Sequence, residues 1–87
     1  MNVVLKYVIP DQCEISIPIH DAFEVLAVGA QGKQIVAWVM VDDSTAMIAR
    51  RFYKLDTGEE VPHDAGTYYG TVTDSNGYVT HVFEKLE

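Results

Sequence analysis

Eighty-seven residues, 48% of them hydrophobic, make one small domain with a genuine core, and are too apolar for a disordered chain. Thirteen Asp and Glu against six Lys and Arg give a net charge of −7, which repels a phosphate backbone and argues against direct nucleic-acid binding. The single cysteine, Cys13, cannot close an internal disulfide, no basic and apolar leader opens the chain, and no apolar run nears the roughly 18 residues of a bilayer span; the expectation is a cytoplasmic protein without membrane association.

In chain order, Val3 to Ile9 reads as a first strand with Val3, Leu5, Tyr7 and Ile9 on one face, ended by Pro10-Asp11. Cys13 to Ile19 alternates Cys13, Ile15, Ile17 and Ile19 with Glu14, Ser16 and Pro18, so one face is buried; Pro18, lacking a donor, places this strand at a sheet edge. Cys13 falls on the apolar face, where a thiol packs as a small hydrophobe. Phe23 to Ala30 reads as a third strand, although Asp21 and Glu24 are also spaced as a capping box for one short helical turn. Gln31-Gly32-Lys33 turns the chain into Gln34 to Asp42.

That fourth stretch holds seven consecutive apolar residues, Ile35 to Val41, four of them β-branched, which suits a central strand covered on both faces. After the polar Asp42 to Thr45, Ala46 to Leu55 mixes helix formers (Ala46, Met47, Ala49, Arg50) with an extended Arg51-Phe52-Tyr53-Lys54-Leu55, and reads mainly as strand. Asp56 to Gly66 has loop composition. Thr67 to Thr73 and Tyr78 to Glu84 flank Asp74-Ser75-Asn76-Gly77, where Asn76-Gly77 predicts a type I′ hairpin with both central residues at positive φ. About seven short strands at near-regular spacing predict an all-β antiparallel meander closing into a sandwich or a small barrel.

Several residues in this pattern resemble a known family: Leu5-Lys6-Tyr7-Val8-Ile9-Pro10, Leu26 to Gln31 leading into the Trp38 strand, Arg51-Phe52 before Thr57-Gly58, Tyr69-Gly70-Thr71, and Thr80-His81-Val82-Phe83-Glu84. Together they are similar to a family of small, uncharacterised β-rich proteins encoded by bacteriophages and prophages. The likeness covers nearly the whole chain, with Asp56-Thr57-Gly58 standing where Gly-Thr-Gly is expected. It implies a phage accessory protein, and its motifs are aromatic and turn residues rather than catalytic ones.

Asp56-Thr57-Gly58 is the triplet with which aspartic proteases present a carboxylate, but Lys54 and Glu59 crowd it with charge, and Asp-Thr-Gly is also ordinary turn chemistry. His20, His63 and His81 lie in separate elements without cysteine partners, so no metal and no cofactor are predicted; His81 reads as a packed or paired strand histidine. With no catalytic constellation in the sequence, the expectation is a non-enzymatic protein. The favoured function is stoichiometric binding to a basic surface of a host protein, blocking a host defence assembly as anti-CRISPR proteins do, through Asp42, Asp43, Glu59, Glu60 and Asp64. The alternative is a sponge that holds a nucleotide signal on Arg50, Arg51 and Lys54, with Tyr53, Tyr68 or Tyr69 stacking on a base, or else a structural or regulatory homo-oligomer. Because a small sheet with two apolar faces needs cover, a homodimer is also expected, formed face to face or through the first or last strand, with Val36, Trp38 and Met40 near the buried layer.

Overall fold

The computed structural model describes residues 1–86 and consists of seven antiparallel strands: β1 (Asn2–Ile9), β2 (Glu14–His20), β3 (Phe23–Gln31), β4 (Gln34–Asp42), β5 (Met47–Asp56), β6 (Ala65–Thr73) and β7 (Val79–Lys85). They form two sheets in the orders β1-β4-β3 and β2-β5-β7-β6, packed as a sandwich rather than a closed barrel. No helix is present among the described residues, so none could cross a membrane. The Asp21/Glu24 capping box forms no helical turn: Asp21 and Ala22 make the β2–β3 turn, and Glu24 lies in β3.

Only β3/β4 and β6/β7 are sequential hairpins, so the strand order departs from a simple meander. β1 pairs with β4 and β2 with β5, so β1→β2 and β4→β5 both step from the first sheet to the second, at opposite ends of the sandwich. Alternation explains the core. Ile35, Ala37, Val39 and Val41 point inward from β4, and Ile15, Ile17 and Ile19 meet them from β2, with Phe52, Val72 and Val82 completing the layer. The outer face of β4 is covered differently. Val36 is fully buried beside its cross-strand neighbour Val8 and opposite Gly29, over which the Trp38 ring lies; a Cβ at Gly29 would come within 2.9 Å of that ring. Around them Val4, Val8 and Leu26 leave the outer face largely exposed and apolar.

On the second sheet the long β5–β6 connection folds back across the outer face. It buries Tyr53 and Leu55 there, with Val61 beside Leu55 and Phe83, and the Tyr53 hydroxyl donating to Asp64 at 2.7 Å. The two hairpin turns differ from one another. Gly32, at φ 61, is the only positive-φ residue of the β3–β4 turn, as a type II′ turn with glycine first requires. The β6–β7 turn is not type I′: Asn76 keeps a negative φ, and Gly77 alone is left-handed at 84°. The Asp74 carboxylate accepts from the amides of Asn76 (2.8 Å) and Tyr78 (3.1 Å), favouring an Asx-stabilised type I turn followed by a glycine bulge. Cys13 also departs from expectation: it precedes β2 and is exposed, with its thiol 3.9 Å from a Glu59 carboxylate oxygen.

Candidate functional site

The register places the connections β1–β2, β3–β4, β5–β6 and β6–β7 at one pole of the sandwich, and the β2–β3 and β4–β5 turns at the other. The amide of Ser75 donates to the Gly32 carbonyl at 3.2 Å, tying two of the first-pole turns together. The ten residues of β5 span about 30 Å between the poles at the usual rise per residue. The five acidic candidates are therefore not one surface. Asp42 and Asp43 sit at the second pole, and Glu59 and Glu60 at the first. Asp64 lies where the connecting loop returns across the sheet, near Lys85 at 4.0 Å.

Asp42 and Asp43 are committed to local structure. Each lies 3.2 Å from the Met1 ammonium, and Asp42 also accepts from the Ser44 hydroxyl (2.6 Å) and amide (3.0 Å). Those Ser44 bonds, with the ammonium adding to them, hold the Asp42 carboxyl down at about 2. Asp64 is likewise held below the ordinary range, first by the Tyr53 hydroxyl. The first pole is different. Asp56 and Glu59 bracket a turn closed by Glu59 N–H donating to the Asp56 carbonyl, and the Glu59 carboxylate accepts from the Asp56 amide at 3.1 Å. Glu60 follows, exposed, and Asp74 stands in the adjoining turn. Among the described residues, Asp56, Glu59, Glu60 and Asp74 form no ion pair with a basic side chain. Composition placed Glu59 and Glu60 in this group; that Asp56 and Asp74 join them depends on which strand ends meet, and no local spacing signals it.

The cationic candidates are dispersed. Arg50 and Lys54 share a face of β5, as alternation requires, but each has its own carboxylate: Arg50 donates to Asp21 at 2.8 Å with its guanidinium over the Phe23 ring, and Lys54 donates to Asp11 at 2.9 Å, which lowers the Asp11 carboxyl. Arg51 lies on the opposite face beside Ser16. Tyr53 is covered by the loop, with the Lys85 ammonium 5.6 Å from its ring centre. Tyr68 packs against Phe83 on the outer face, whereas Tyr69 turns inward against Phe52 and donates to Glu84 at 3.3 Å. No common anion pocket unites these six side chains.

Asp56-Thr57-Gly58 is a turn, with Gly58 at φ 96, and its Thr57 hydroxyl bonds His81 Nε2 at 2.8 Å. His81 Nδ1 meets the Thr71 hydroxyl at 2.9 Å, and Thr71 in turn bonds the Tyr68 hydroxyl, so the histidine is paired on both ring nitrogens. Among the described residues no three His, Cys, Asp or Glu side chains converge to hold a metal ion.

The arrangement defines a small antiparallel sandwich with one pole rich in carboxylates that form no ion pair among the described residues. Residues 1–87 match the model of a family described as a domain of unknown function, DUF7352, and the chain belongs to that family. No curated protein and no solved structure matches it.

Proposed function

We propose that this chain is a small phage accessory protein that acts without catalysis, by stoichiometric binding of its acidic pole to a basic surface of a host defence protein in the host cytoplasm. The observation that carries the reading is the turn holding Asp56, Glu59 and Glu60 without a basic partner among the described residues, in a chain of net charge −7. Carboxylates left uncompensated at one end focus a negative potential there, which speeds encounter with a basic surface and makes affinity depend on salt. The resemblance to phage and prophage proteins directs the choice of partner towards host defence.

The test is a pull-down from bacterial lysate at low salt with tagged protein and with the double reversal Glu59→Lys, Glu60→Lys. The native pole retains a discrete basic protein that elutes as salt rises, and the reversed pole does not. Identical captures by the two proteins, or retention indifferent to salt, refute the reading.

A further inference from the structure

Four strand edges bound the two sheets, and three of them are blunted. β2 carries Pro18. Lys54 N–H donates to the Cys13 carbonyl, making those two a hydrogen-bonded pair; by alternation the peptide groups of Glu14, Ser16 and Pro18 face the free side, so Pro18 removes a donor from the edge without breaking the ladder. β3 and β6 are each interrupted by register shifts and lie against one another, so closely that a Cβ on Gly70 would meet Val28 at 2.6 Å. β1 has no such protection. Its eight residues pair with β4 in unbroken register, with no proline, no bulge and no acidic side chain, and Lys6 is its only charge.

The same alternation shows what this edge offers. Asp43 N–H donates to the Met1 carbonyl at 3.1 Å, so the peptide groups of Val3, Leu5, Tyr7 and Ile9 face β4, and those of Asn2, Val4, Lys6 and Val8 face outward. We propose that this edge pairs with β1 of a second copy, antiparallel about a twofold axis through Leu5, joining the two three-stranded sheets into one. The axis at Leu5 sets Val4 opposite Lys6 of the second copy and Asn2 opposite Val8, and all the outward groups of Asn2, Val4, Lys6 and Val8 find partners. A twofold through Lys6 would instead put ammonium opposite ammonium.

Charge selects the same edge. Two bodies of −7 repel one another wherever acidic surfaces meet, and the stretch Asn2 to Ile9 carries a net positive charge. Packing agrees, since Leu5 belongs to the inward-facing series of β1 yet remains 38% exposed at the rim, where its own copy would cover it.

Sedimentation equilibrium on the full chain tests the proposal, together with the variants Val4→Pro and Leu5→Lys. Val4→Pro copies the device of Pro18 by deleting an outward donor, and Leu5→Lys sets like charges across the axis. Native protein at about 100 μM should give twice the 9.7 kDa chain mass, and both variants the single mass with an unchanged far-ultraviolet strand signal. Amide exchange of the native dimer adds a readout that no variant can confound: the Val4, Lys6 and Val8 amides are slow, and become fast on dilution to the monomer. A monomeric native protein, a dimer that survives both substitutions, or fast exchange at Val4 and Lys6 in the dimer each overturn it.

Discussion

At the scale of single residues, Tyr69 is the titrating group with the clearest consequence. Burial, then the charge and hydrogen bond of Glu84, push its phenol up to about 12, against an ordinary value of 10.0. A folded-state pKa above the unfolded one contributes stability that is whole below pH 10 and is lost as pH rises towards 12. Tyr69→Phe removes this linkage. In an absorbance titration of tyrosinate paired with circular dichroism, the native protein should lose stability between pH 10 and 12, and the variant should lose less there. Gly70 is the second sensitive position, because its φ of 149° is one that side chains rarely adopt and Val28 occupies the space of a Cβ. Gly70→Ala should cost about 1 to 3 kcal/mol, read from urea midpoints, while Gly77→Ala meets no neighbour and carries only the backbone penalty of its left-handed turn. Neither close approach could be read from spacing: Tyr69-Gly70 looks like any strand interior until β3 is known to lie across it.

At the scale of elements, legibility followed hydrophobic period. β4 is bounded at Gln34 and Asp42 both in the sequence reading and in the structure, because seven apolar residues between polar ones leave no other interpretation. Pro18 correctly marked an edge, and the helix formers around Ala49 were overridden by pairing with β2, where Pro18 lies opposite Ala49. The pairings β1/β4 and β2/β5 were invisible, since register between distant segments is decided by which apolar faces close the core and not by turn chemistry. The same blindness separated Asp42 and Asp43 from Glu59 and Glu60: composition collects acids, but only strand direction says which pole they reach. Packing energies divide accordingly. Ile19, 1% exposed in the core, should lose about 2 to 5 kcal/mol on substitution by Ala, whereas Leu26, half exposed in the β3 bulge, should change the urea midpoint little.

At the scale of the whole molecule, the two sequential hairpins β3/β4 and β6/β7 close short loops, and β1 and β2 must then find partners across long stretches of chain. Folding should be slowed most by substitutions in the hairpins that form first, and unfolding quickened most by substitutions in β1; stopped-flow chevrons of Val41→Ala and Val3→Ala distinguish the two limbs. The unprotected edge of β1 takes on a different meaning during synthesis. The ribosome adds the 33 residues from Pro10 to Asp42 in about 2 to 7 s at ordinary elongation rates, and until β4 is complete β1 lacks the full strand it pairs with. On a crowded polysome, neighbouring nascent chains present the same apolar segment to one another at high local concentration, so the timing of β4 decides whether β1 meets its own sheet or a stranger's.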